Sequence, residues 1–178
     1  MDKENDGRPD GAKSAPNVGA PPRSITILQG AFTPKFFDQL KKRTPQEVFV
    51  MEGRPTLEAG QANCRQLLKR KITPTLICDN MAGFLFFKDL VKEIWIAYQL
   101  SAEDGALCET GALILGVLGK RHKIPVHLFP SDRKTKFLGK EKDLMRFQNK
   151  TIAPKGIRAY VPLVDWLPGK YVTKVHNE

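Results

Sequence analysis

The chain has 178 residues, of which 41% are hydrophobic and 8% aromatic, and this is enough apolar material for the core of one ordinary domain. No apolar run approaches the roughly 20 residues that span a bilayer, and the polar N-terminus excludes a secretory signal, so we expect a cytoplasmic protein without a membrane partner. Cys64, Cys78 and Cys108 are odd in number and lack metal-site spacing, which excludes a disulfide framework and a zinc site.

The formal net charge of +10 is concentrated in one part of the chain. Between Lys120 and Lys155, eleven Lys or Arg residues face three carboxylates, a local net charge of +8, and we call this stretch the basic segment. It is typical of a solvated surface, of a site for phosphorylated ligands, or of a nucleic-acid surface. The nucleic-acid interpretation gains no support from aromatic residues, because Phe137 and Phe147 are isolated.

In chain order, residues 1–22 have too few large apolar side chains to order themselves and predict a disordered tail, while residues 23–178 predict a single domain. Five apolar runs predict buried strands at residues 25–28, 48–51, 75–78, 94–97 and 126–129. Helical patterns alternate with them at residues 34–42, 57–71, 80–90 and 109–122. Alternation of this kind predicts an α/β fold with a doubly wound, mainly parallel sheet.

Four segments carry a resemblance to a known family. Residues 48–60, VFVMEGRPTLEAG, resemble the Glu-Thr/Ser-Arg-Pro segment of the methylthioribose-1-phosphate isomerases and of the alpha, beta and delta regulatory subunits of translation initiation factor 2B. Residues 72–83, 104–126 and 160–168 are similar to three further segments of that family, in the same order. The resemblance implies the Rossmann-like C-terminal domain of the family, a phosphorylated small molecule as ligand, and a homodimer or a related subunit as partner.

The resemblance also implies where an isomerase would hold its catalytic groups. The position of the family's catalytic cysteine holds Ala31, and the position of its aspartate holds Gln99, so neither proton-transferring group is present. The family's substrate-holding Asn-Lys-x-Gly-Thr segment is replaced by residues 108–112, CETGA, which leaves Thr110 and Gly111 as its candidate ligand contacts.

Other candidate residues follow predicted strands, where ligands of parallel sheets bind. Arg54 is suited to hold a phosphate, or to brace the loops by pairing with Asp79. Asp79 is suited to act as a base or, as we favour, to cap the helix that follows it. The stretch from Gly30 to Thr33 offers backbone amides that could form an anion site. Thr33 is also predicted to cap the helix that follows.

A helix N-terminus would lower the pKa of Cys108 and make it a nucleophile, although a small packed cysteine is the simpler interpretation.

The leading functional prediction is a non-catalytic protein, similar to the initiation factor 2B subunits, that binds a phosphorylated sugar or nucleotide, a partner subunit, or both. A diverged sugar-phosphate isomerase that uses Asp79, Asp104 or Cys108 is the alternative, and an RNA-associated or ribosome-associated module is the third. His122, His127 and His176 match no ligand spacing, so neither a metal nor a cofactor is predicted.

Overall fold

The computed structural model describes residues 23–43, 47–131 and 133–177, so the predicted tail at residues 1–22 lies outside the described residues. Within these ranges the chain forms ten strands and five α-helices. The strands are β1 Ile25–Gln29, β2 Glu47–Met51, β3 Thr75–Ile77, β4 Val91–Ala102, β5 Gly105–Glu109, β6 Val126–Pro130, β7 Arg146–Phe147, β8 Lys150–Thr151, β9 Val164–Pro168 and β10 Lys174–Val175. The helices are α1 Pro34–Arg43, α2 Glu58–Lys69, α3 Ala82–Phe87, α4 Ala112–His122 and α5 Glu141–Met145.

The main sheet has the strand order β10-β6-β4-β1-β2-β3, and all of these neighbours run parallel. The predicted doubly wound, mainly parallel sheet is therefore confirmed. Because the chain turns from β3 back to β4 on the other side of β1, the strand order reverses between β1 and β4. Ligands of such sheets bind outside the carboxyl ends of the strands at this reversal.

Two apolar cores cover the two faces of the sheet, as the alternation of side chains along β1 requires. Ile27 packs into the core that contains Leu115 of α4, and Leu28 packs into the core that contains Phe37 of α1. Both side chains are fully buried. Helices α3 and α4 thus lie on one face of the sheet, and α1 and α2 lie on the other. No helix within the described ranges is both long and apolar enough to cross a membrane.

The sheet extends beyond the five predicted strands. After Ala97, β4 continues to Ala102 and pairs antiparallel with β5, which in turn pairs antiparallel with β9. The fourth helix was predicted from residue 109 but begins at Ala112, because residues 105–109 form β5. These strands are held by pairing with distant parts of the chain, and a local apolar pattern does not reveal such pairing.

Candidate functional site

The loop that follows β2 is fixed by the carboxylate of Asp79. The backbone amide of Gly53 donates to Asp79 Oδ1 at 2.9 Å, and the amide of Arg54 donates to Asp79 Oδ2 at 2.7 Å. The 3-10 turn that begins at Asp79 has no side-chain cap, so the predicted capping role of Asp79 is wrong. The guanidinium of Arg54 does not brace the loop through this carboxylate, since it lies 4.2 Å from the ring centroid of Phe147.

A cavity of about 300 Å³ lies beside this loop, and we call it the basic cavity. It is lined by Gly53, Arg54, Thr56, Glu58, Glu109, Thr110, Arg133, Lys134, Thr135, Lys136 and Leu163. Four of these side chains are cationic and two are carboxylates, so the cavity carries an excess of positive charge. Three of the four cations belong to the basic segment, so the fold brings residues 133–136 of that segment to the carboxyl ends of the strands.

Residues 133–136 form a strap across the basic cavity. The amide of Thr135 donates to Gln99 Oε1 at 2.7 Å, and the Thr135 hydroxyl donates to Glu109 Oε1 at 3.3 Å. At the start of the strap, Arg133 forms an ion pair with Glu58. Burial raises the pKa of the Glu109 carboxyl, the charge of Asp79 raises it further, and the bond from Thr135 opposes the shift. Gln99 thus positions the strap, although the Gln99 side chain is not among the residues that line the basic cavity.

A second cavity of about 390 Å³, the apolar cavity, adjoins the first and shares Thr110 with it. Its lining comprises Gln29, Met51, Asp79, Asn80, Ala82, Gly83, Thr110, Gly111, Ile114, Leu115 and Leu118. Gln29 Nε2 donates to the carbonyl oxygens of Glu109 and Thr110, at 2.9 and 3.2 Å. This buried amide ties the end of β1 to the end of β5 and so sets the wall between the two cavities.

One amide of the predicted anion site at the start of α1 is already bonded within the protein, and the anion-binding role of this stretch stays a prediction. The Phe32 amide donates to Asn63 Oδ1 at 3.4 Å, and the Phe36 amide donates to Thr33 Oγ1 at 3.3 Å. The second bond confirms Thr33 as a helix cap. Gly30, whose carbonyl accepts a bond from Asn63, packs against Ala97 and lies, with the buried Ala31, outside the linings of both cavities described here.

The three catalytic candidates of the alternative prediction belong to three different parts of the fold. Asp104 is exposed in the turn between β4 and β5, where its backbone carbonyl accepts a bond from Gly169. Cys108 is buried in β5, and burial, followed by the charges of Asp165 and Glu109, raises the pKa of its thiol. The favoured interpretation of Cys108 as a packed cysteine is therefore confirmed, and the alternative, a thiolate at a helix N-terminus, is wrong. Asp79 is engaged by the two loop amides.

Helix α4 begins beside the apolar cavity and is capped by a residue distant in sequence. The amides of Gly111 and Leu113 donate to Asp165 Oδ2 at 3.0 and 3.4 Å. The amide of Gly111 is thus committed to the protein, and the Thr110 hydroxyl donates to the carbonyl oxygen of Pro162 at 2.9 Å. Both residues lie in cavity walls, as their predicted ligand-binding role requires, and that role stays a prediction.

Sequence reasoning missed several residues that shape the site, among them Gln29, Glu58, Glu109 and Asp165. The excess of positive charge in the basic segment does indicate a possible anion site, and three of its residues, Arg133, Lys134 and Lys136, line the basic cavity. A buried glutamine or a capping aspartate 54 residues away leaves no comparable local pattern.

The fold and these two cavities define a class of protein: a doubly wound α/β domain with a polar binding crevice at the carboxyl ends of its central strands. Within that class, the model of the initiation factor 2 subunit family matches residues 35–178, and the chain belongs to this family. The resemblance predicted from the sequence is thereby confirmed.

The chain is similar to isomerases among curated proteins. It is 30% identical over 145 residues to a methylthioribose-1-phosphate isomerase of Syntrophus aciditrophicus, a match that covers 74% of this chain and 39% of that protein. A methylthioribose-1-phosphate isomerase of Carboxydothermus hydrogenoformans is 29% identical over 142 residues, with 73% and 41% covered. The chain thus spans about two fifths of the length of these relatives.

Two solved structures share the fold. The delta subunit of translation initiation factor eIF-2B from A. fulgidus superposes with a TM-score of 0.75 at 19% identity, over 85% of this chain and 51% of that chain. The 5-methylthioribose 1-phosphate isomerase of Pyrococcus horikoshii OT3 gives a TM-score of 0.72 at 18% identity, over 86% and 49%. One neighbour is an initiation factor subunit and the other an isomerase, so family membership leaves the activity open.

Proposed function

We propose that this protein is a non-catalytic, initiation factor 2B subunit-like protein that binds a phosphorylated sugar or nucleotide in the basic cavity and associates with a partner subunit. The observation that carries the proposal is the composition of that cavity, where Arg54, Arg133, Lys134 and Lys136 face Glu58 and Glu109. A cavity of about 300 Å³ with a cationic lining favours a small ligand that carries phosphate.

The side chains around the cavities support binding without turnover. Moving a carbonyl along a sugar needs an acid or base at the migrating proton. The positions that the resemblance assigns to these groups hold Ala31, which is buried, and Gln99, whose oxygen is bonded to the strap. The thiol of Cys108 is buried with a raised pKa, so it does not replace the missing groups.

A second candidate, a diverged sugar-phosphate isomerase, is favoured by one observation: the two curated relatives described above are methylthioribose-1-phosphate isomerases. Of the three residues that would have to carry that reaction, Asp79 is the one in a cavity wall, and its carboxylate is bonded to two amides. The non-catalytic proposal therefore takes precedence.

Calorimetric titration with methylthioribose 1-phosphate, ribose 1,5-bisphosphate and a nucleoside monophosphate tests the proposal, with the same mixtures followed by NMR for a ketose product. We expect binding of at least one ligand without conversion. Conversion of either sugar phosphate would overturn the non-catalytic assignment, and an absence of binding to all three would overturn the binding site.

The contribution of the cavity is tested by Arg54→Ala. A guanidinium bonded to a phosphate contributes about 1.5–3 kcal/mol, so affinity for the bound ligand should fall roughly 10- to 100-fold. The matched control is Arg121→Ala, which removes an exposed arginine from the last turn of α4, away from the carboxyl ends of the strands. An equal loss in both variants would mean that net charge, rather than the cavity, attracts the ligand.

A further inference from the structure

The ion pair between Glu58 and Arg133 lies within the lining of the basic cavity. Glu58 is the first residue of α2, and Arg133 begins the strap that crosses the cavity. Their side chains are 59% and 34% exposed, so both are reachable from solvent. An arginine in a candidate phosphate site is thus already paired with a carboxylate of the protein itself.

We propose that Glu58 is a built-in competitor for the ligand: its carboxylate holds the Arg133 guanidinium in the empty site, and a bound phosphate takes its place. This inference rests on the proposed function, since it describes how the basic cavity receives its anion. Binding is then an exchange of partners, in which Arg133 leaves a carboxylate and forms a charge-assisted, bidentate contact with phosphate.

The strap is anchored independently of this ion pair. Thr135 is bonded to Gln99 through its amide and to Glu109 through its hydroxyl, and neither bond involves Arg133. The amide of Arg133 is itself bonded to the Ser131 hydroxyl at 3.1 Å. Because the amides of Arg133 and Thr135 are held in this way, the exchange requires only a rotation of the Arg133 side chain.

Glu58 also keeps a favourable position after it releases Arg133. It lies in the first turn of α2, a helix of 12 residues, and the residue before it supplies no side-chain cap. A carboxylate at this end of a helix is stabilised by the free backbone amides and the helix dipole. The released carboxylate therefore does not need a new partner, which makes the exchange easy to reverse.

The exchange costs every anion the same free energy, because the ion pair between Glu58 and Arg133 must open before any of them binds at Arg133. The apparent affinity of each anion is therefore lowered by the same factor. A phosphate monoester carries about −1.5 to −2 charges at pH 7, whereas a carboxylate carries one. The higher charge of the phosphate, rather than the competitor, thus favours it over a carboxylate at Arg133.

Calorimetry with inorganic phosphate, ribose 5-phosphate and acetate tests this exchange on the full chain and on Glu58→Gln. Exposed ion pairs contribute about 0.2–1 kcal/mol, so removal of the competitor should tighten phosphate binding by at most about fivefold. Acetate should gain by the same factor as phosphate, because the same ion pair must open before either anion binds at Arg133. The matched control is Glu141→Gln, which removes the first carboxylate of α5 and the same net charge, and it should leave all three affinities unchanged.

Arg133→Ala separates an exchange of partners from simple repulsion by Glu58. In that background Glu58→Gln should have a much smaller effect, because no guanidinium remains to be released. Equal gains in both backgrounds, or no gain in Glu58→Gln, would overturn the exchange while leaving the binding site intact. If neither the native chain nor Glu58→Gln bound phosphate or ribose 5-phosphate, the proposed function would fall together with this inference.

Discussion

Glu109 and Asp165 are held in surroundings that disfavour their charged forms. Burial raises the pKa of both carboxyl groups, and bonds from Thr135 to Glu109 and from the amides of Gly111 and Leu113 to Asp165 oppose the shift. Each carboxyl nevertheless has a structural role, since one anchors the strap and the other caps α4. These acids therefore position the site and reduce stability when they ionise.

The pH dependence of unfolding follows from the direction of these shifts. The folded state binds the proton of such an acid more tightly than the unfolded state does, because the folded pKa is the higher one. The free energy of unfolding therefore falls as the pH rises above about 4.3, the usual pKa of glutamate, and through the raised folded pKa. Glu109→Gln removes this loss and keeps an acceptor for Thr135. The free energy of unfolding, measured in urea, should therefore rise for Glu109→Gln relative to the native chain between pH 4 and pH 7.5.

Glu103→Gln, an exposed carboxyl in the turn between β4 and β5, serves as the control for this measurement. Its unfolding free energy should follow the native pH profile. If the difference between Glu109→Gln and the native chain stayed constant over this range, the pKa of Glu109 would not be raised in the folded state.

At the scale of elements, the start of α2 packs tightly against the end of β2. A Cβ atom placed on Gly60 would lie 2.6 Å from the backbone oxygen of Glu52 and 2.7 Å from that of Met51. Only a glycine lets the helix approach so closely, and this approach places the loop with Gly53 and Arg54 beside Asp79. The same contact positions Glu58, two residues earlier in α2.

Gly60→Ala should therefore destabilise the protein by about 1–3 kcal/mol, the usual result of overpacking, although alanine is the better helix former. Gly83→Ala in α3 is the matched control, because a Cβ there meets no atom within 4 Å. Helix propensity alone should stabilise that variant by about 0.5–1 kcal/mol. Urea denaturation of both variants measures the contrast, and two changes of the same sign would contradict the close contact at Gly60.

The elements also show what sequence can and cannot predict. β1, β2 and β6 are short apolar runs, the local signature of buried strands, and their positions were predicted to within a residue. β3 was located equally well, but Thr75 and Leu76 are exposed at the edge of the sheet, so the prediction of a buried strand there is wrong. β5 and β9 depend on pairing with each other across 55 to 63 residues of chain, and no local pattern encodes that partner. For the same reason Asp79 was predicted as a local cap, whereas its bonds go to amides 25 and 26 residues earlier.

At the scale of the whole molecule, helices α3 and α4 carry an exposed apolar surface. Helices α3 and α4 run side by side and expose an apolar face formed by Met81, Phe84, Phe87, Leu113, Ile114 and Val117. Phe87 is 79% exposed and Phe84 is 60% exposed. Trp166, another large aromatic residue, is only partly exposed in β9 beside Gly105, so these two phenylalanines are better placed to contact a partner.

The proposed partner subunit is expected to cover this apolar face. Ile114 belongs both to the face and to the wall of the apolar cavity, so a partner docked there would also adjoin the ligand crevice. In a symmetric pair each residue is present twice, and burial of a phenylalanine contributes about 1.5–3 kcal/mol. Phe87→Ser should therefore raise the dissociation constant of a dimer at least about tenfold.

Sedimentation equilibrium measures this shift on the full chain, whose mass is 20.0 kDa. We expect the native chain to sediment as a dimer and Phe87→Ser to shift toward the monomer. Phe137→Ser is the control, since Phe137 is 71% exposed but lies next to the strap rather than on α3 or α4. A native monomer at all concentrations would assign the face to a different subunit, and an equal effect of both substitutions would show that the dimer does not form through α3 and α4.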